Sequence, residues 1–178
     1  MVVGKTPEAV AALQGQMQRG EMRKRYRLLV LGTLKEEDGI IDAPIGRDRV
    51  HRQKMAVRAD GRAARTEFHV LERLSGYTYV DAGLPSGRTH QLRVHFGYIE
   101  HPVAGDSTYG RGRPPAGLGR QFVHSHELTL TSPSEQSERR FVAELPADLE
   151  ATLGYLRELA DRASSPPRDP GVPTERAS

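Results

Sequence analysis

The chain has 178 residues, of which 37% are hydrophobic and 28% are charged, a size and composition typical of one compact domain. No apolar run approaches the ~20 residues that a membrane span requires, and no signal peptide is visible, which excludes a membrane protein. The absence of cysteine excludes disulfides and thiolate chemistry and predicts a cytoplasmic protein.

The net charge of +3 arises mainly from arginine-rich stretches at 19–27, 47–65 and 111–120. Arginine forks match phosphate oxygens, and a basic surface supplies the salt-dependent part of RNA affinity. A solvated basic surface without a nucleic-acid partner explains the same charge equally well. Charge alone therefore leaves a polyanionic partner open.

Apolar periodicity and turn residues predict an alternation of helices and strands. A helix is expected at 7–19, because Thr6 can cap it, Pro7 suits its first position and Gly20 can end it. The segment 23–32 is apolar on both faces, as expected of a central strand. A turn, short strand and turn follow at 38–48, and strands are predicted at 54–58, 64–74 and 77–84. A helix is expected at 89–99 and a glycine-rich loop at 105–119. The chain then continues with strands at 122–130 and 139–145, a helix at 146–162 and a disordered tail at 163–178.

The densest chemistry falls at the start of the helix predicted for 89–99. Gly87 permits a sharp turn from strand to helix, and the free N–H groups of a first helical turn favour a nearby anion. Arg88 stands at this opening and could hold a buried carboxylate in its ionised form. An arginine that only packs against the helix start is the alternative.

Two pairs of histidines raise the alternative of a metal site. His90 and His95 are five positions apart and do not share a helix face. His124 and His126 share the face of a predicted strand, but the pattern offers no third ligand. No metal is therefore expected, and a zinc hydrolase is the weaker alternative.

A long, ordered series of motifs is carried by the segments at 23–26, 41–48, 87–95, 101–106, 109–110, 120–126 and 145–146. The central motif reads Gly-Arg-Thr-His-Gln-Leu-Arg-Val-His. This series resembles the signature of the RluA-like family of RNA pseudouridine synthases. The resemblance implies an α+β fold, in which a mixed, mostly antiparallel sheet is flanked by helices and loops and an RNA-binding cleft crosses the sheet.

The resemblance also implies a reaction, the conversion of uridine in RNA into pseudouridine. The glycosidic bond breaks, the base turns, and C5 is joined to C1′, after the base has left its stack. The family pattern implies RNA as the partner, with ribosomal RNA the expected substrate. It implies no cofactor, and we expect neither a membrane nor an obligate protein partner.

Individual residues acquire roles from the same resemblance. Arg88 matches the arginine that pairs with the catalytic aspartate, and Tyr26 matches the tyrosine that stacks on the target base and transfers a proton at C5. Lys24 and Arg93 are expected to bind RNA, and Leu92 is expected to line the pocket. Three of these residues also have a purely structural interpretation, with Tyr26 and Leu92 in the core and Lys24 on the solvated surface.

The family's catalytic aspartate lies in a His-Arg-Leu-Asp motif that this sequence does not contain. Residues 1–5 resemble the apolar strand that follows this motif in the family. We therefore expect residues 1–162 to form a catalytic domain that lacks its N-terminal part, and this chain to be inactive. A start placed too late in a longer gene and a degenerate protein are the two explanations. A non-catalytic RNA-binding remnant of the same fold is the alternative function.

Overall fold

The computed structural model describes residues 2–110, 114–115 and 117–164. This part of the chain contains helices α1 (Pro7–Arg19), α2 (Gln91–Tyr98) and α3 (Ala147–Ser164) and strands β1 (Arg23–Leu31), β2 (Asp38–Asp42), β3 (Ile45–Arg47), β4 (Met55–Val57), β5 (Arg65–Leu74), β6 (Tyr77–Gly83), β7 (Val123–Thr131) and β8 (Glu138–Val142). A six-stranded sheet has the order β2-β5-β6-β1-β7-β8, and β3 pairs separately with β4. These pairings are antiparallel, which confirms the α+β class and its mostly antiparallel sheet. None of the described helices is long and apolar enough to cross a membrane.

Strand β1 lies inside the sheet, and both of its faces are covered. Leu28 packs with Leu92 and Phe96 of α2 in one core cluster. Leu29, the next residue, packs in a second cluster with Leu149 of α3. Because side chains alternate between the two faces of a strand, the apolar run of β1 supplies both cores. The predicted central strand is confirmed.

Helix α1 has the predicted bounds, and local chemistry explains both ends. Thr6 Oγ1 accepts the main-chain N–H of Ala9 (3.2 Å). Gly20, with φ 71°, closes the helix in the left-handed region, where a side chain would be strained. Gln16, which is buried, exchanges two hydrogen bonds with the main chain of Thr131 (2.8 and 2.9 Å). These bonds dock α1 at the end of β7.

The segment 38–48, predicted as one short strand between turns, contains both β2 and β3. Pro44 separates the two strands because it has no N–H to donate to a ladder. Its carbonyl accepts the N–H of Arg58 (2.8 Å), and Ile45 then pairs with Val57 of β4. Residues 44–62 therefore form a separate arm, the basic hairpin.

Several boundaries differ from the predicted ones by a few residues. Helix α2 begins at Gln91 rather than at 89, because His90 has a left-handed backbone (φ 56°) that an α-helix cannot contain. Strand β8 ends at Val142, short of 145, and α3 continues to Ser164, beyond 162. Parts of the predicted tail and loop lie outside the described residues, namely 165–178 of the tail and 111–113 and 116 of the loop. The described parts of 105–119 contain no helix or strand.

Candidate functional site

Arg88 lies in the turn between β6 and α2, where its side chain is half-buried. Its main-chain N–H donates to Gln91 Oε1 (3.0 Å), and its Nε–H donates to the carbonyl of Ala63 (3.0 Å). Among the described residues it forms no ion pair with a carboxylate. A guanidinium carries five N–H donors, so its outer edge can still bind a planar anion.

Gln91, at the start of α2, fixes the conformation of the Arg88 turn. Besides the N–H of Arg88, its Oε1 accepts the hydroxyl of Ser86 (3.0 Å). Its Nε2 donates to the carbonyl of Arg65 (2.8 Å) and to Thr66 Oγ1 (3.1 Å). The side chain is only 2% exposed, so these bonds are shielded from water. Gln91 thus fastens the Arg88 turn to the beginning of β5.

His95 extends this network into the core and is completely buried. Its Nε2 lies 2.9 Å from the carbonyl oxygen of Ala43, which can only accept, so Nε2 carries the proton. Its Nδ1 lies 2.9 Å from Thr66 Oγ1 and accepts the threonine hydroxyl. Burial lowers the pKa of His95, which favours the neutral ring that this order of protons requires.

Lys24 and Tyr26 lie on β1, on the α2 side of the sheet. Tyr26 is half-buried and packs against the cluster that contains Leu92. The Lys24 ammonium lies 3.6 Å from the position that a Cβ on Gly87 would occupy. The structure therefore places Lys24 beside the turn that carries Arg88, with Tyr26 next along the same strand face.

Leu92 was predicted to line the pocket, but the structure places it in the core. Its exposure is 5%, and it packs with Leu28, Leu84 and Phe96. This burial is the structural alternative that the sequence left open. A contact between Leu92 and substrate stays a prediction without structural support.

Arg93 was predicted to bind RNA, and its guanidinium is instead engaged within the protein. Its Nε and Nη2 donate to the carboxylate of Asp106 (2.6 and 2.7 Å), and the two side chains are 16% and 0% exposed. Asp106 also accepts the N–H groups of Thr108 and Tyr109. Burial raises the pKa of Asp106, but these hydrogen bonds outweigh it and the pKa is lowered. The pair is a structural clamp between α2 and the loop that follows it.

The basic hairpin contains arginines with and without an acidic partner. Asp60 pairs with Arg58 and Arg49, which lower its pKa to about 2. Arg52 and Arg62 are exposed and form no ion pair among the described residues. Both are therefore available to phosphate groups.

The histidines that suggested metal have other partners. His124 and His126 both contact the carbonyl of Ala143 (3.1 and 2.9 Å), which accepts their ring N–H groups. No group of three or more metal-binding side chains occurs in the described parts of the chain.

A groove of about 810 Å³ lies between the N-terminal segment, α1 and the β7–β8 hairpin. Its apolar side chains include Leu13, Leu128 and Phe141, and none of the candidate site residues lines it. Its size therefore does not bear on the assignment of the Arg88 turn.

Sequence reasoning missed Gln91 and Thr66 as residues that hold the site. Gln91 is the first residue of α2, two positions short of where a capping-box glutamine stands, so no capping pattern identifies it. Thr66 gives no local signal either, because its partners Gln91 and His95 lie 25 and 29 positions away.

Comparison with known proteins shows the family to which the chain belongs. The family model described as RNA pseudouridylate synthase matches residues 1–98. An uncharacterized RNA pseudouridine synthase of Chloroflexus aurantiacus is 43% identical over 164 residues, which cover 92% of this chain and 51% of the relative. The ribosomal large subunit pseudouridine synthase D of Nitrosomonas europaea is 42% identical over 174 residues, with coverages of 94% and 50%. The chain thus spans about half the length of the curated relatives it matches.

Solved structures give the same result at the level of fold. The human RNA pseudouridylate synthase domain containing 1 matches with a TM-score of 0.72 and 25% identity, covering 93% of this chain and 75% of the human one. The human RNA pseudouridylate synthase domain containing 4 matches with a TM-score of 0.69 and 21% identity, covering 85% and 69%. Because the family model spans more than half of the sequence, the chain belongs to the RNA pseudouridylate synthase family.

Proposed function

We propose that this chain forms the Arg88-bearing part of a catalytic domain that isomerises uridine to pseudouridine in ribosomal RNA. The observation that carries the proposal is the Arg88 turn. Its guanidinium is held by Ala63 and its backbone by Gln91, while its outer edge has no carboxylate partner among the described residues. Family membership supports the reaction class, and the name of the Nitrosomonas europaea relative supports ribosomal RNA.

The isomerisation balances without a cofactor. The bond from N1 to C1′ breaks, the bond from C5 to C1′ forms, C5 loses a proton and N1 gains one. Arg88 would hold a carboxylate at the sugar in its ionised form through two parallel charge-assisted hydrogen bonds. Tyr26 offers an aromatic face to the extruded pyrimidine and a hydroxyl that can move the C5 proton.

RNA affinity in this proposal comes from Lys24 and the basic hairpin. Lys24 lies next to the Arg88 turn, and Arg52 and Arg62 are exposed on the basic hairpin. Cations that neutralise phosphates release counterions, so binding should weaken steeply as salt increases. Neither a membrane nor an obligate protein partner enters this proposal.

We expect the 178-residue chain to bind RNA without turnover, because it contains no His-Arg-Leu-Asp segment. The test uses a ribosomal RNA fragment with tritium at C5 of uridine, from which the reaction releases tritium. The chain itself should release none, and a version extended upstream in the same reading frame should release it. Release by the unextended chain would show that the nucleophile lies elsewhere.

The extended version also tests Arg88 directly. Arg88→Met should abolish tritium release, because it leaves a carboxylate in a partly desolvated site without its counter-ion. The ionised carboxylate should lose roughly 3–5 kcal/mol of stabilisation. Arg88→Lys keeps the charge but not the fork and should recover only a small part of the activity. Release by Arg88→Met at a rate near that of the unaltered protein contradicts the proposal.

A non-catalytic RNA-binding remnant is the second candidate function. Within the described residues the Arg88 guanidinium has no carboxylate partner, and the sequence contains no His-Arg-Leu-Asp motif. Both facts favour a remnant as much as they favour an incomplete enzyme. The genomic sequence upstream of the first codon separates the two candidates. An encoded His-Arg-Leu-Asp-like segment supports the enzyme, and its absence supports the remnant.

A further inference from the structure

His90, between the Arg88 turn and α2, has a backbone conformation that is uncommon for residues other than glycine. Its φ and ψ are 56° and 20°, in the left-handed region, and its side chain makes no capping hydrogen bond. A residue other than glycine keeps this conformation when its surroundings hold it there, and such residues concentrate at functional sites.

Tyr109 is the residue that holds the His90 ring. Its hydroxyl lies 2.9 Å from His90 Nδ1, and the two rings meet edge to face with centroids 5.7 Å apart. The same hydroxyl accepts the main-chain N–H of Met55 in β4 (2.9 Å), and Arg93 lies over the Tyr109 ring at 4.9 Å. The His90 ring is therefore fixed jointly by α2, the basic hairpin and the loop that contains Tyr109.

His90 is an exposed residue, and the Tyr109 contact engages only one of its two ring nitrogens. We assign the Tyr109 hydroxyl as the donor to Nδ1, because it already accepts the Met55 N–H and its own proton can point at the ring. With this assignment the ring proton lies on Nε2, which has no hydrogen-bond partner among the described residues. Burial, and then the charge of Arg93, lower the pKa of His90, so the ring is neutral under physiological conditions. An uncharged N–H donor is thus held two residues from Arg88.

We propose that His90 contacts the RNA substrate and donates its Nε2–H to an oxygen acceptor of the nucleotide bound at the Arg88 turn. The inference rests on the proposed function and adds to it a residue that recognises the substrate. The ring is already oriented by Tyr109 before RNA arrives, so little rotamer freedom is lost on binding. A neutral donor releases no counterion, so its contribution should not depend on salt.

The test compares the affinities of this chain and its variants for a uridine-containing ribosomal RNA fragment, measured by fluorescence anisotropy over a range of salt concentrations. His90→Asn is the central variant, because asparagine tolerates the left-handed backbone but lacks the ring donor. We expect binding to weaken roughly five- to tenfold, with an unchanged slope of log affinity against log salt. His69→Asn is the matched control, since His69 is exposed on β5 on the opposite face of the sheet and pairs with Asp38.

Tyr109→Phe removes the hydroxyl that orients the ring and should weaken binding in the same direction. The double variant should lose little more than His90→Asn, because both changes act on one contact. As a spectroscopic readout, the ring nitrogen resonances of His90 should show the Nε2–H tautomer in the free chain and a shift of Nε2 when RNA is added.

The possible results separate this inference from the proposed function. If the unaltered chain does not bind the RNA, both fall. If it binds and His90→Asn binds equally well, or if His69→Asn loses as much affinity, the inference alone is overturned. A Nε2 resonance that does not move on saturation with RNA also overturns it, whatever the stability of the variants.

Discussion

Gln91 and Arg88 are joined through the main chain of the arginine rather than through its charge. Gln91 Oε1 accepts the Arg88 N–H at 3.0 Å, and Gln91 Nε2 donates to the carbonyl of Arg65 at 2.8 Å. The amide therefore bridges the Arg88 turn and the first residue of β5. The direction of the Arg88 side chain depends on this bridge, because the turn itself has no regular hydrogen-bond ladder.

Replacing Gln91 by leucine should destabilise the fold and loosen the Arg88 turn. The change leaves the Arg88 N–H without its acceptor, while the Arg65 carbonyl keeps the Ser86 hydroxyl as a donor (3.3 Å). Urea unfolding should show a loss of about 1–3 kcal/mol for the unpaired N–H, and hydrogen exchange at the Arg88 amide should accelerate. Gln18→Leu, on the exposed surface of α1, is the control and should change stability by less than about 0.5 kcal/mol. Equal losses of unfolding free energy in the two variants would mean that the hydrogen bonds of Gln91 do not stabilise the Arg88 turn.

Arg93→Met tests whether Arg93 is a structural residue. It leaves the fully buried carboxylate of Asp106 without its counter-ion, and breaking a buried pair in this way costs about 3–5 kcal/mol. Arg19→Met, which removes an exposed pair with Glu21, should cost less than about 1 kcal/mol. Unfolding by urea measures both. A small loss for Arg93→Met would show that the pair with Asp106 is not structural and would leave the predicted RNA contact as the role of Arg93.

The sequence predicted the features that depend on local patterns. The caps of α1 and the two apolar faces of β1 are encoded within a few neighbouring residues, and both were found where expected. The start of α2 was predicted at 89 but lies at Gln91. The left-handed conformation of His90 accompanies a contact with Tyr109, 19 positions later, and the residues next to His90 give no sign of this contact.

The partner of a charged side chain was equally invisible in the sequence. Arginine is a residue type that often binds RNA phosphates, so the sequence predicted an RNA contact for Arg93. Only the fold shows that Arg93 Nε lies 2.6 Å from a carboxylate oxygen of Asp106. Arg88 and Arg93 stand on the same short segment, yet one has a carboxylate partner and the other has none among the described residues. Burial and pairing decide which arginine is free for substrate, and neither follows from a motif.

His95 should make the stability of the chain depend on pH. Burial lowers its pKa in the folded state, so the unfolded chain takes up a proton at a higher pH than the folded chain does. Stability is therefore complete above the unfolded pKa of roughly 6.5 and declines as the pH falls below it, until the folded pKa is passed. Urea midpoints between about pH 8 and about pH 5 measure this decline.

A matched pair of variants isolates the contribution of His95 to this pH dependence. His95→Gln keeps a donor for the Ala43 carbonyl but cannot titrate, so the decline should become shallower. Gln53→Ala, at an exposed position, changes no titratable group and should leave the pH profile unchanged. A His95→Gln profile parallel to that of the unaltered chain would assign the decline to other groups.

Gly105 should be the least replaceable glycine of the loop after α2. Its φ is 71°, and a Cβ there would lie 2.3 Å from the carbonyl oxygen of Arg120, a main-chain atom that cannot rotate away. Gly76 has a similar φ of 74° but open space around the same position. Gly76→Ala should therefore cost only the left-handed strain of about 1–2 kcal/mol.

Gly105→Ala should cost clearly more than Gly76→Ala, because the backbone itself must move to admit the methyl group. That movement displaces the next residue, Asp106, from Arg93 and weakens the clamp that also carries Tyr109. The excess loss in urea unfolding, together with a shift of the His90 ring resonances in Gly105→Ala alone, measures this coupling. Equal losses and unchanged resonances would mean that the loop accommodates the methyl group without moving the clamp.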